Sequence, residues 1–308
     1  MGQIINLFIG DLHHDDADFR RPDIVGRTGE RCFKVLLAWC ARLSDMGFSV
    51  VLHLVGDTFN NVPGLAEALI VSEDIITSVC WKRKAPHAVL MAGNHDIRLQ
   101  HCSYLGYSGL IEMYSHPLKM WYEHGHRLDP VWRNPGRFKA WFGESIIKAG
   151  AKLEKKWPLI DEAMIRIAKG ASRFILPKGA RLGDEQYLNE AAKVAAGFMN
   201  IEVFLFQHTH RAMLQSQPWQ IANSGMNGTV FVVNCGSFVP AGEPHEEGWY
   251  AQGEVAPYVY WREAGLLCRI LSDGLMVEAS HETSLKQKLS DVNFTDIAES
   301  MEGISIED

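Results

Sequence analysis

The stretch IINLFIGDLH, residues 4–13, runs from an apolar segment into a glycine, an aspartate and a histidine. Two later stretches repeat this arrangement, VVLHLVGD at residues 50–57 and AVLMAGNHD at residues 88–96. Short apolar runs that end at a glycine predict buried strands. Because a rigid sheet fixes the loops at its strand ends, the polar residues after each strand are expected to converge on one edge.

Helical spacing of apolar residues separates these strands. It predicts one helix from Glu30 to Met46, which stops at Gly47, and another from Gly64 to Lys84, which Pro63 opens. The order β-α-β-α-β predicts an α/β fold in which helices cover a sheet. Further strands are predicted at residues 201–206, 229–233, 256–262 and 266–271, the last two as a hairpin.

Residues 127–200 differ from the rest of the chain because they are rich in helix formers and in positive charge. They contain 14 Lys or Arg and 8 Asp or Glu, a net of +6, and the remaining residues contain 16 and 29, a net of −13. We interpret this segment as an inserted basic helical cap. The core is then formed by residues 1–126 and 201–280, and residues 281–308 form a polar, acidic tail.

Composition narrows the class of protein. The net charge of the 308 residues is −7, so the surface as a whole is not built to bind nucleic acid or an anionic membrane. The six cysteines are scattered without a C-x-x-C pair, which argues against a disulfide framework and a zinc-thiolate site. A basic leader and a long apolar run are both missing, so we expect a cytoplasmic protein without a transmembrane segment.

Five clusters of potential metal ligands follow the predicted strands. They are Asp11 with His13, Asp57, Asn94-His95-Asp96, His124 with His126, and His208 with His210. Two side chains that are two residues apart in an extended segment point to the same side, so both can reach one metal ion. Carboxylate oxygen and imidazole nitrogen without thiolate favour Mn²⁺, Fe, Zn²⁺ or Ni²⁺ over Ca²⁺, with Mn²⁺ preferred here.

The ordered set D-x-H, G-D, G-N-H-D, H-G and H-x-H resembles the calcineurin-like metallophosphoesterase superfamily over roughly residues 4 to 270. The resemblance implies a four-layer α/β/β/α sandwich with two divalent metal ions at the sheet edge. It implies that Asp57 bridges the two ions and that a hydroxide between them attacks phosphorus. One ion would be held by Asp11, His13 and His210, and the other by Asn94, His124 and His208.

The resemblance also implies catalytic roles for two further residues. His95 would stabilise the transition state or protonate the leaving oxygen, and Asp96 would orient its imidazole. The family places a histidine directly before a glycine, which favours His124 as the ligand over the alternative, His126. Arg98 is a candidate for contact with the substrate phosphate.

The sequence departs from the family pattern at two positions. Asn60 occupies a position that is often acidic, and Gln207 stands where glycine is usual. The motifs of protein Ser/Thr phosphatases are absent, which argues against a phosphoprotein substrate. The layout, with a helical insertion between H-G and H-x-H and the loop Asn234-Cys235-Gly236-Ser237, is similar to the UDP-diacylglucosamine hydrolase branch, but that branch carries Arg in place of His95.

Three interpretations of the insertion stay open. It could cap the active site and present cations and aromatic rings to an anionic substrate. It could contact a membrane surface or nucleic acid, or it could be an amphipathic helix pair with a solvated basic face.

The sequence favours hydrolysis of a phosphodiester or pyrophosphate over a monoester. The alternatives are a nuclease or cyclic-nucleotide phosphodiesterase, and a catalytically inactive binding protein.

The assignment of His95 predicts the effect of removing its imidazole. His95→Ala should retain bound metal, because the residue is not among the expected ligands, but should lose on the order of 10²-fold or more in turnover. Metal content and steady-state kinetics measured on the same preparation check this. Full turnover by the variant would remove His95 from the mechanism.

Overall fold

The computed structural model describes residues 3–13, 26–58, 87–93, 96, 112–128, 184–198, 200–222, 224–238, 256–271 and 274–281. The chain divides into two compact units, Met1–Gly125 with Ala191–Asp308, and His126–Glu190. Both sheets lie in the first unit. The predicted helix Gly64–Lys84 and most of the predicted insertion, residues 129–183, lie outside the described residues. The cap and its boundaries therefore stay predictions.

The first described sheet contains the strands that the opening motifs predict. Its order is β12-β11-β10-β1-β2-β3, and a short strand β9 pairs with β10. Strands β1, β2 and β3 are parallel neighbours, and β10 is antiparallel to β1. The bounds are β1 Ile4–Ile9, β2 Ser49–Val55, β3 His87–Met91, β9 Gly236–Ser237, β10 Ala256–Trp261, β11 Leu266–Ile270 and β12 Leu275–Ser280.

The second described sheet has the order β4-β5-β6-β8-β7. Strands β5, β6 and β8 are parallel, so their carboxyl ends share one edge as those of β1, β2 and β3 do. The antiparallel strands β4 and β7 form the two edges. The bounds are β4 Glu112–Ser115, β5 Met120–Glu123, β6 Val203–Phe206, β7 Met213–Gln220 and β8 Asn227–Asn234.

Two apolar cores hold the layers together. In the first, helix α1 (Gly26–Asp45) packs its apolar face, including Trp39 and Leu36, on one side of the first sheet. The second core lies between the sheets and joins Phe8 and Tyr260 of the first to residues such as Tyr122 of the second. Alternation along each strand sends successive side chains to opposite faces, which explains how one strand serves two cores.

A second helix, α2, spans Asp184–Gly197. Phe198, the next residue, stacks on Tyr114 and contacts Trp121 on the outer face of the second sheet. Helix α1, the first sheet and the second sheet form successive layers, and Phe198 packs on the outer face of the second sheet. This layering confirms the predicted α/β sandwich class. Neither described helix has the length and apolar character that a membrane crossing requires.

A buried histidine lies between the sheets at a distance from the predicted motifs. His53 stacks on Phe8 with ring centroids 4.2 Å apart, and its Nε2 donates to Asn6 Oδ1 over 3.0 Å. The Asn6 amide in turn donates to Glu263 over 2.7 Å. The buried Nδ1 of His53 has no hydrogen-bond partner among the described residues, so a proton there would lack an acceptor. Burial lowers the pKa of His53 to about 3.

This lowered pKa predicts a loss of stability in acid. Below the ordinary value of 6.5 the unfolded chain binds a proton that the folded chain excludes until pH approaches 3, so stability falls over that window. The contribution is on the order of 1 kcal/mol per pH unit. Denaturant unfolding of metal-free protein from pH 7 to 4.5 should therefore give a flatter profile for His53→Gln than for wild type. The exposed His116→Gln is the matched control, and equal slopes for all three proteins would contradict the assignment.

Candidate metal centre

Six of the predicted ligands lie at the carboxyl ends of four strands. Asp11 and His13 follow β1, Asp57 follows β2, His124 follows β5, and His208 and His210 follow β6. Backbone hydrogen bonds join the loops: His13 N–H donates to Asp57 C=O over 2.9 Å, and Gln207 N–H donates to His124 C=O over 3.0 Å. The first bond connects two strands of the first sheet, and the second connects two strands of the second.

Two overlapping groups of side chains have ligand atoms close enough to hold a cation. Asp11, His13 and His210 form one group, and Asp11, Asp57 and His124 form the other, each with ligand atoms within 4.8 Å of one another. His124 Nε2 lies 3.1 Å from Asp57 Oδ2. Of the two histidines that the sequence left open, His124 is therefore the one in the cluster.

The histidine rings are paired in space. His13 Nε2 and His210 Nε2 are 3.2 Å apart, and the two rings lie edge to face. The rings of His124 and His208 are also edge to face, with centroids 5.3 Å apart. The resemblance assigns the first pair to one ion and the second pair to the other, and this assignment stays a prediction.

Five of the predicted ligand residues adopt an uncommon backbone conformation. Asp11, His13, Asp57, His208 and His210 have φ between 46° and 76°, and Lys119 is the one further non-glycine residue with positive φ in the described part of the chain. A left-handed residue other than glycine costs roughly 1–2 kcal/mol, and such strain clusters at functional sites. The conformation turns each side chain into the site directly after its strand ends.

The glycines that precede the motifs make room for ligands from other strands. A Cβ on Gly56 would lie 2.6 Å from the His124 ring, and one on Gly93 would lie 2.8 Å from Asp57 Cγ. A Cβ on Gly10 would lie 2.7 Å from the Gln207 amide carbon. Gly56 also has φ of 78°, which suits glycine. The loops therefore approach one another more closely than any larger residue permits.

Charge in the site is concentrated and buried. Burial raises the pKa of Asp11, and the neighbouring Asp57 carboxylate raises it further. Burial alone would lower the pKa of His124, but the carboxylates of Asp57 and Asp11 outweigh it and raise this pKa above its ordinary value. Burial and the adjacent His13 hold the pKa of His210 well below 6.5. The neutral imidazole of His210 is the form that binds metal.

An unsatisfied oxygen shows that these residues suit a metal ion. Asp11 Oδ1 is buried, and among the described residues no hydrogen-bond donor reaches it. Nitrogens of His13, His124 and His210 surround it at 3.7–3.8 Å, which is too far for a hydrogen bond. A buried carboxylate oxygen without a donor, facing several imidazole nitrogens, offers ligand atoms of the types that metal ions bind.

Asp96 joins two of the motif loops. Its Oδ2 accepts a hydrogen bond from Thr58 N–H over 2.8 Å, and its Oδ1 accepts one from Gly93 N–H over 2.6 Å. The carboxylate thus ties the loop after β2 to the loop after β3. Three predicted site residues, Asn94, His95 and Arg98, lie outside the described residues.

Sequence reasoning gave no site role to three buried residues around the cluster. Gln207 stands where the family usually has glycine, and its side chain packs against Gly10. Asn234 is the last residue of β8, and Ser237 lies in the short strand β9. Both make hydrogen bonds to the motif loops, to Thr209 and to Asp11 respectively. Their position at and just after the end of a predicted strand is the signal that the sequence offers.

Comparison with known proteins gives one family. A family model described as calcineurin-like phosphoesterase matches residues 7–194, more than half of the chain. A solved structure of a Vps29 double mutant from Entamoeba histolytica is 13% identical, covers 89% of both chains and has a TM-score of 0.36. A conserved uncharacterized protein from Streptococcus pneumoniae, described as a predicted phosphoesterase, is 11% identical over 90% of this chain and 91% of that chain, with a TM-score of 0.31. No match was found among curated protein sequences.

The contact between Gly93 and Asp57 predicts the effect of one added methyl group. Gly93→Ala places a carbon against both the carboxylate and the backbone nitrogen of Asp57, so the loop after β2 must shift. We expect affinity for Mn²⁺ to fall roughly 10–100-fold, as for loss of an orienting partner. Calorimetric titration of metal-stripped protein measures this.

The matched control is Gly197→Ala at the end of α2, where an added carbon meets no atom within 4 Å. It should bind Mn²⁺ as wild type does and gain a little helix stability. Equal affinity in the Gly93 and Gly197 variants would show that the close approach does not determine the position of Asp57.

Proposed function

The chain belongs to the calcineurin-like phosphoesterase family, and on that premise we propose that it hydrolyses a phosphodiester or pyrophosphate bond at a centre of two divalent metal ions. The observation that carries the proposal is the cluster of Asp11, His13, Asp57, His124 and His210, in which all but the half-buried His210 are buried. Its members come from four strands of two sheets. A purely structural role would not require several buried ionisable groups to face one another in strained backbone conformations.

The proposed ligand sets follow the paired rings. Asp11, His13 and His210 would hold one ion, Asn94, His124 and His208 would hold the other, and Asp57 would contribute to both. The donor types are mixed oxygen and imidazole, for which Mn²⁺ is the proposed ion and Fe, Zn²⁺ and Ni²⁺ are the alternatives. The family is typically dependent on two metal ions, and the clustered carboxylates and imidazoles of this chain agree with it.

When bound, two divalent ions stabilise the charge on the phosphoryl oxygens and lower the pKa of an attacking water molecule. The protein residues supply the remaining parts of the reaction. His95 is proposed to donate a proton to the leaving oxygen. Asp96 is proposed to orient the imidazole of His95, and its carboxylate accepts hydrogen bonds from the backbone N–H groups of Thr58 and Gly93. Asp57 is held at the junction of the two ligand sets by contact with His124 and Gly93.

The proposed substrate is an anionic phosphate compound that Arg98 and the basic segment 127–200 help to bind. A diester or pyrophosphate is favoured because the layout resembles a branch that cleaves a pyrophosphate bond and the protein phosphatase motifs are absent. A nuclease or cyclic-nucleotide phosphodiesterase is the second outcome of the substrate test. We propose that the protein is cytoplasmic. We also propose that the basic segment 127–200 contacts a membrane surface as one of its roles.

The proposal predicts turnover that depends on added metal. Metal-stripped protein should hydrolyse an aryl phosphodiester faster than an aryl phosphomonoester when Mn²⁺ is restored, and Ni²⁺, Zn²⁺ and Mg²⁺ are tested beside it. Asp57→Ala should bind neither ion and show no turnover, because it removes the bridging carboxylate. Asp45→Ala, an exposed aspartate at the end of α1, is the matched control and should behave as wild type.

The outcomes separate the candidate functions. Comparison of oligonucleotides, cyclic nucleotides and nucleoside diphosphate esters then identifies the substrate class. Protein that binds two ions yet hydrolyses none of these compounds with any metal would contradict the enzymatic proposal and point to a binding protein.

A further inference from the structure

Asn234 occupies a buried position beside the loop His208–His210, which we call the histidine loop. It is the last residue of β8, which pairs with β6, and its side chain has no exposed surface. The amide nitrogen Nδ2 donates to Gln207 C=O over 3.3 Å and to Thr209 Oγ1 over 3.0 Å. These two acceptors flank His208 in the chain. The Asn234 side chain is therefore hydrogen-bonded to the residues on both sides of His208, a proposed ligand.

The same residue directs the chain toward Asp11. Asn234 Oδ1 accepts from Gly236 N–H over 2.9 Å, and Gly236 has φ of 64°, which turns the chain. Directly after this turn, Ser237 Oγ and Phe238 N–H both donate to Asp11 C=O over 3.1 Å. The turn that Asn234 stabilises thus fixes the backbone of the first ligand.

A further hydrogen bond closes this network. His208 N–H donates to Asp11 Oδ2 over 3.0 Å. The network runs from the Asn234 amide nitrogen to Thr209, and from His208 N–H to the Asp11 carboxylate. It continues from the Asp11 carbonyl to Ser237 and returns through Gly236 N–H to Asn234 Oδ1. It crosses from the second sheet to the first at the edge where the ligands meet. A closed hydrogen-bonded path restrains its members more than separate bonds do.

The histidine loop needs such a restraint. His208 and His210 have φ of 76° and 58°, and left-handed conformations persist only where the surrounding structure holds them. We propose that Asn234 is a positioning residue that holds the His208–His210 loop against Asp11 and so sets the metal affinity of the centre. This inference rests on the proposed function, because it concerns the same ligands.

The carboxamide is the only side chain of its size that meets all three bonds. It offers two N–H donors and one acceptor, whereas a carboxylate offers acceptors alone. Asn234→Asp keeps the bond from Gly236 N–H but places a negative charge against the Gln207 carbonyl. Partners that orient metal ligands typically change metal affinity by about 10–100-fold when removed.

The test is a titration of the metal-stripped full-length chain with Co²⁺, followed by visible absorption, which reports ligand geometry as well as affinity. Asn234→Asp should raise the dissociation constant of at least one Co²⁺ ion about 10–100-fold and alter the absorption band. Asn227→Asp, the same change at the exposed opposite end of β8, should match wild type in both.

Thr209→Val gives a second, milder probe that keeps the shape of the loop. It removes one of the two acceptors of Asn234, so it should weaken Co²⁺ binding less than Asn234→Ala does. Combining Thr209→Val with Asn234→Ala should weaken binding no further than Asn234→Ala alone, because the bond is already lost. If Asn234→Asp does not fold, this pair decides the question.

The outcomes distinguish three results. Unchanged Co²⁺ affinity and absorption in both Asn234→Asp and Thr209→Val overturn the positioning role while leaving the metal centre in place. A lower unfolding temperature of metal-free Asn234→Asp with unchanged Co²⁺ binding also overturns it, since the residue would then serve stability alone. Failure of wild type to bind Co²⁺ refutes the proposed centre itself.

Discussion

The site depends on two carboxylates that are buried together. Asp11 and Asp57 follow neighbouring parallel strands, so the register of β1 with β2 brings their oxygens within 4.8 Å. Two buried carboxylates so close cannot both ionise without a positive partner. Burial lowers the pKa of His124, but the carboxylates of Asp57 and Asp11 outweigh it and raise this pKa above its ordinary value. Bound divalent ions would supply more charge and also reach Asp11 Oδ1, which no donor among the described residues satisfies.

Much of the fold follows from apolar runs. The strands β1, β2, β3, β6, β8, β10 and β11 and the helix α1 lie where the sequence predicts them, within a few residues at their ends. Strands β4, β7 and β12 were not predicted, because none of them contains an apolar run longer than three residues. The sequence of β7, MLQSQPWQ, is polar and contains Pro218, and its residues are mostly exposed or half-buried. It forms a strand because β8 pairs with it along its whole length. This pairing is a tertiary contact that the local sequence does not show.

The site was predictable in its members but not in what holds them. Metal-ligand residue types after successive strands made candidates of Asp11, His13, Asp57, His124, His126, His208 and His210, and the resemblance preferred His124 to His126. The hydrogen bonds that fix their loops come from Asp96 and Asn234, and a sequence pattern does not show which backbone groups a side chain reaches. For Asp96 the sequence suggested a role toward His95, and the structure adds its grip on Thr58 and Gly93.

Close contacts between glycines and side chains from other strands explain why the fold itself sets the positions of the predicted ligands. Gly56 faces the His124 ring and Gly93 faces Asp57, so the position of each ligand is set by the backbone of another strand. Gln207, at a position where the family usually has glycine, is accommodated because Gly10 opposite lacks a Cβ. Close-packed backbone leaves little freedom for the left-handed residues between strand and site. Strain in those residues is therefore offset by packing before any metal binds, and the free energy of metal binding need not be spent on ordering the ligands.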